Sequence, residues 1–199
     1  MATNPSTIAS GGARDKRGVV RFAAPGADVE IPKTITEALA VSLDAYTPAG
    51  YVGEDGISEE AAKEPDPVKE MGGSTVAQLL PEYEHTFTFT LIEALNANTL
   101  RLLNGSENVT VTSEGVTVRS NDSLPEERAY LLDVLDKAGQ RIRIAIPRGQ
   151  ATVSGETVYS AGEVIAYEVT LVTFPDEDGV NAYRHYINTG TTETITPGE

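Results

Sequence analysis

Cysteine and tryptophan are both missing, and histidine occurs only twice, as His85 and His185. Without cysteine there is no disulfide framework, no thiol nucleophile and no Cys-based zinc site. Two histidines leave little material for imidazole metal sites or general-base chemistry. Cations are scarce too: 15 Lys and Arg stand against 30 Asp and Glu, for a formal net charge of −15. Nucleic-acid affinity comes from neutralising phosphates, so wrapping of DNA or RNA is disfavoured. Such a surface can still surround DNA without gripping it. No stretch approaches the ~20 apolar residues of a membrane span, and the opening MATNPSTIASGG lacks the apolar centre of a signal peptide. The expectation is a chain made in the cytoplasm with no membrane partner. The nucleophile elbow, the phosphate loop, the dinucleotide glycines and the paired-histidine zinc motif are absent as well, which points away from an enzyme and from any cofactor or metal.

What is present is a chain of 199 residues, long enough to bury one sizeable core. Its clearest stretch is residues 82–105. From Glu84 to Leu91 the pattern alternates: His85, Phe87, Phe89 and Leu91 fall on one side, Glu84, Thr86, Thr88 and Thr90 on the other. That is the period of a half-buried strand. Thr90-Leu91-Ile92-Glu93 then matches a capping box, in which the Thr90 hydroxyl and the Glu93 carboxylate satisfy each other's backbone N–H. Ile92, Leu95, Leu102 and Leu103 recur at roughly helical spacing, Thr99 interrupts them, and Asn104-Gly105 supplies a left-handed end. The reading is one flanking helix, with Thr90 and Glu93 as its cap.

Before this stretch, residues 1–18 are small and polar around Arg14, Lys16 and Arg17, a flexible N-terminal arm. Val19, Val20 and Phe22 suggest a short strand. Residues 34–43 suit either a strand or a short helix, and Ile35, Leu39 and Leu43 at i, i+4 and i+8 favour a helical turn. Residues 45–73 hold Tyr46, Tyr51 and Val52, then Glu54, Asp55, Glu59, Glu60, Glu64, Asp66 and Glu70 against Lys63 and Lys69, with Pro65 and Pro67. Such a run cannot bury a face, so a long mid-chain loop is expected, and loops of that length are functional or disordered. A strand at residues 75–80 should end at Pro81.

After the helix the chain reads as nearly all β: a hairpin around residues 113–115, strands at 129–136 and 140–146 with Arg141 and Arg143 outward, a break at Pro147 and Gly149, and a short strand near 151–153. A long strand follows at 164–174 with Glu168 and Thr170 on its polar face, then one at 182–188. Residues 189–199 form a Thr-rich flexible tail. Eight to ten strands and one helix define a mainly β fold, a two-layer sandwich or partly closed barrel spanning residues 19–188. The residues that invite a chemical reading have plainer ones. The acidic run is a solvated charge run. Asp176-Glu177-Asp178-Gly179 lacks the closing Glu of a calcium loop, and His85 and His185 read as sheet histidines. Arms and a long loop around a compact core are features of an assembling subunit, because such segments order across interfaces.

Residues 50–57 (GYVGEDGI), 69–73 (KEMGG) and 87–96 (FTFTLIEALN), with 143–147 (RIAIP), 166–171 (AYEVTL) and the Pro175-Asp176 turn, resemble the major tail proteins of long-tailed phages of actinobacteria. The resemblance spans about residues 50 to 187. It implies a virion tail protein that forms six-membered rings, stacked into a tube on a tape measure protein and closed by tail tip and tail terminator proteins. DNA would pass through without specific binding. On that reading Tyr51, Glu54, Asp55, Glu59, Glu60, Glu64 and Asp66 belong to a ring-stacking loop, and Arg14, Lys16 and Arg17 to an inter-subunit arm. Either the face of Glu84, Thr86 and Thr88 or that of Glu168 and Thr170 lines the channel. The rivals are another virion β-sandwich, such as a capsid decoration or tail-completion protein, and an immunoglobulin-like module with the acidic loop as its ligand loop.

Overall fold

The computed structural model describes residues 19–135 and 140–187; the expected arm and tail lie outside them. The described residues form ten strands: β1 (Val20–Phe22), β2 (Thr47–Pro48), β3 (Val52–Lys69), β4 (Thr75–Leu91), β5 (Val109–Val111), β6 (Val116–Val118), β7 (Arg128–Leu135), β8 (Arg141–Val153), β9 (Tyr167–Phe174) and β10 (Tyr183–Ile187). Two short helices, α1 (Ile35–Ala40) and α2 (Ala97–Asn104), complete them. The fold is mainly β and consistent with a sandwich, and the sheets do not close into a barrel.

Strand β8 is the element that makes two layers out of one hydrogen-bonded path. Along the path β2-β1-β7-β8-β9-β4-β3, its first half pairs with β7 and β10 and its second half with β9. The changeover falls at Pro147-Arg148, where a register irregularity opposes β7 and Pro147 has no N–H to donate. The irregularity reverses the facing: Ile142, Ile144 and Ile146 point to the core before it, Gly149 and Ala151 after it. Pro147 and Gly149 therefore bend one strand rather than ending it. Gly149 also has no room for a side chain, since a Cβ there would stand 2.9 Å from Leu171 Cδ1 and 3.2 Å from the Tyr130 ring.

The core joins Val20, Phe22, Tyr130, Leu132, Ile144 and Ile146 of one layer to Phe87, Phe89, Leu91, Val169 and Leu171 of the other, with Leu102 and Leu103 of α2 against them. The alternation of residues 84–91 holds: His85, Phe87, Phe89 and Leu91 are buried. On the far side of the first layer, residues 24–46 cover a second cluster of Ala23, Tyr46, Leu131 and Ala145. Arg143 faces away from the main core as expected but is buried under this cover. It donates to Ala38 O and, at 2.8 Å, to Asp133 Oδ2. Beside it His185 Nε2 donates to Pro32 O at 2.9 Å. Burial raises the Tyr46 hydroxyl to about pKa 12.

Four local expectations change. Strand β4 runs unbroken from Thr75 through Pro81 to Leu91. Thr90 therefore lies inside a strand paired to Glu168 and caps nothing. Helix α2 is capped by Asn96, whose side chain accepts from Asn98 N at 2.9 Å, and Glu93 accepts from Asn96 Nδ2 at 2.5 Å. Ile92 and Leu95 are exposed rather than part of the apolar stripe, whereas Thr99 is buried and donates to Ala49 O at 2.5 Å. The capping box is real but sits at α1, where Glu37 N donates to Thr34 Oγ1 (3.3 Å) and Thr34 N to Glu37 Oε2 (3.2 Å). That helix buries Ala38, while Ile35 and Leu39 are exposed. The fourth change is the mid-chain loop, which is a strand.

Candidate assembly surfaces

Residues 52–69 pair with 75–91 in one long antiparallel hairpin closed by residues 70–74, with Glu70 N donating to Ser74 O and a left-handed Gly73. Eighteen residues at about 3.3 Å each span nearly 60 Å. Its two ends live in different surroundings. From Thr86 to Leu91, β4 also pairs with β9, inside the sandwich. From Thr75 to His85 its only ladder partner among the described residues is β3. An acidic run that cannot bury a face can still satisfy its backbone this way, because ladder pairing needs a partner strand and not a core. Pro65 and Pro67 are tolerated because β3 is the last strand of the sheet, with one side unpaired.

The residues expected to form one stacking loop are spread along this strand. Tyr51, Glu54 and Asp55 lie at the body end, where Ile92 N donates to Tyr51 O at 3.1 Å. Glu59 and Glu60 stand mid-strand on opposite faces, opposite Phe87 and Thr86. Glu64 and Asp66 lie toward the turn, opposite Glu82 and Leu79. The distal part also exposes apolar side chains: Val68, Val76 and Leu79, and Met71 wholly in solvent. Arg14, Lys16 and Arg17 lie outside the described residues.

The two candidate channel faces are one face. Thr88 pairs with Thr170 and Thr90 with Glu168 across β4 and β9. The same row continues to Thr152 of β8 and Ser58 of β3. Four hydroxyls, Ser58-Thr88-Thr170-Thr152, thus lie side by side over four strands. Glu60 and Thr86 head the next row with Val172 and Gln150, and Glu84 stands opposite Ala62. These rows hold Glu60, Glu84 and Glu168, and beyond Gln150 the same face of β8 carries Arg148, opposite Phe174 and paired with Glu127 at 2.8 Å.

Sequence reasoning missed the cluster at the hairpin root, on the opposite face. There His85 Nε2 donates to Glu59 Oε1 at 2.7 Å, and Arg184 of β10 donates to the same oxygen through Nε (2.8 Å) and Nη2. The cluster ties three strands together. Burial raises the Glu59 carboxyl, but Arg184 and His85 outweigh it and hold the group below the usual carboxylate range; the bond to Glu59 raises Arg184 in turn. Partners 99 and 125 residues away in the chain leave no local signal. Nothing among the described residues groups three or more His, Asp or Glu for a metal ion, and no described helix is long and apolar enough to cross a membrane.

A mainly β domain with a polar sheet face on one side and a projecting hairpin on its edge offers extended surfaces for contact. A sequence model described as phage tail tube protein matches residues 1–196, and the chain belongs to that family. The match runs from residue 1 to residue 196, beyond the stretch that carries the resemblance in the sequence. The protein is thus a phage tail component of the structural, tube-forming kind. A solved structure of the anti-feeding prophage cap, its tube-terminating cap, is similar over 94% of this chain and 99% of that one, at 9% identity and a TM-score of 0.44. No curated protein matches the chain.

Proposed function

We propose that the chain builds six-membered rings that stack into the tail tube, through which DNA reaches the host. The observation that carries this reading is the hairpin: half of a 17-residue strand leaves the sandwich with its apolar side chains in solvent, a surface with no use in an isolated domain. On this reading the hairpin contacts the neighbouring ring, and residues 1–18, with Arg14, Lys16 and Arg17, bridge subunits within or between rings. Tape measure, tip and terminator proteins are the other partners. The hydroxyl and carboxylate rows of β3, β4, β9 and β8 line the channel. Their acids repel phosphates and their hydroxyls offer no fixed charge, so DNA slides instead of sticking. Electron microscopy of the purified chain should show hollow tubes with sixfold end views. A protein that remains monomeric in sedimentation at every concentration and salt overturns the proposal, and closed oligomers that never elongate favour another virion sandwich.

A further inference from the structure

The concave corner between the hairpin root and residues 179–184 is lined by cations without an acid among them. About 350 Å³ in volume, it is lined by Lys63 and Tyr83 of the hairpin, His85, Gly179, Val180, Asn181, Ala182 and Arg184. Two cations and no acid line it, in a chain with twice as many acids as bases. Of two other concavities, one carries Glu93 and Glu163 without a cation, and the other sets Asp28 and Glu127 beside Arg128 and Arg148. Lys63 holds its ammonium 5.6 Å from the centre of the Tyr83 ring and has no carboxylate partner among the described residues. Arg184 spends Nε and Nη2 on Glu59 and keeps Nη1 for another acceptor. Glu59 stands behind it, half-buried, and fixes the guanidinium in place.

We infer that this corner receives a carboxylate side chain from a second copy of the chain. The inference rests on the tube reading and adds the receptor for the contact. A subunit of net charge −15 repels its own copies, so stacking requires places where an acid of one copy meets a cation of the next. Lys63 and Arg184 form such a place, on the inner side of the projecting hairpin. The carboxylates that suit it are Asp66, exposed between the corner and the hairpin turn, and Glu70, exposed at the start of the turn. Lys63 supplies the charge, the Arg184 fork adds geometry, and Tyr83 bounds the site.

The test uses the full chain. Unlabelled and 15N-labelled protein are mixed, assembled and treated with a zero-length carbodiimide, which joins a lysine to a carboxylate in direct contact. The expected product is a mixed-isotope peptide joining Lys63 to an acid, abundant in assemblies and absent below the assembly concentration. Lys63→Glu should raise the assembly concentration at least tenfold at low salt while leaving the circular dichroism and melting temperature unchanged. Adding Asp66→Lys or Glu70→Lys to Lys63→Glu should restore assembly. If the wild type assembles and Lys63→Glu assembles equally well, with no Lys63 crosslink between copies, the corner is not a receptor. If the wild type never assembles, the tube reading itself fails.

Discussion

The two halves of β4 share one backbone conformation and almost nothing else. From His85 to Leu91 the strand alternates buried and half-buried residues and holds two phenylalanines in the core, and from Thr86 onward it pairs on both sides. From Thr75 to Tyr83 it pairs, among the described residues, only with β3, and its described side chains are exposed. Alternation is therefore the mark of a sheet that covers a core, not of a strand as such. The inner half specifies the fold, and the outer half is the part proposed to meet another molecule. The comparison predicts opposite outcomes for equivalent truncations. Phe89→Ala, at 3% exposure, should cost about 3 to 5 kcal/mol, and the melting temperature should fall on the order of 10 °C. A loss below about 1 kcal/mol would mean that the inner half does not hold the core.

Next in size comes the bend of β8. Gly149→Ala places a methyl 2.9 Å from Leu171 Cδ1 and 3.2 Å from the buried Tyr130 ring, and overpacking of this kind costs about 1 to 3 kcal/mol. Chemical denaturation should show a lower midpoint with an unchanged slope. Equal stability of the variant would show that the two layers can separate there without penalty.

The contrast within β4 also explains what could be read from the residues. Phe87, Phe89 and Leu91 announced their strand because burial imposed the period, and so did Val169 and Leu171. Residues 52–69 did not, because neither side of the distal hairpin meets the core and only the ladder holds it. Thr34-Ile35-Thr36-Glu37 and Thr90-Leu91-Ile92-Glu93 fit one capping pattern equally well. Only the first has a free chain end to start a helix; in the second the ladder to Glu168 keeps Thr90 extended. The polar-face residues proposed to line the channel were legible one strand at a time. That Thr88 and Thr170 share a row was not, because register between strands 82 residues apart is set by the whole sheet. The His85, Glu59 and Arg184 cluster was hidden for the same reason.

That cluster sits at the boundary of the two halves, where acid should undo it. The Glu59 carboxyl is held below its ordinary value, so its contribution is present above the unfolded pKa, about 4.3, and disappears as pH falls through the lower folded value. Glu59→Gln should thus lower stability by a constant amount between about pH 5 and 8, and the difference from wild type should shrink below about pH 4. A difference that stays flat to pH 2 would mean that packing, not charge, makes the contact.

The smallest effect on the isolated chain should come from the outer half, and this is where the comparison is most informative. Leu79→Ser removes an apolar side chain that is 61% exposed and pairs across the ladder with Asp66, so its stability should stay within about 0.5 kcal/mol of wild type, as for most surface changes. The same truncation should raise the concentration needed for tube formation, because the exposed side chain is stabilising only when a second copy covers it. The two readings separate in one protein: melting below the assembly concentration reports the subunit, and turbidity or microscopy above it reports the contact. A variant that melts early has lost its fold, and one that melts and assembles like wild type places the ring contact elsewhere. Only unchanged melting with weakened assembly fits a strand whose inner half is built for its own core and whose outer half is built for a neighbour's.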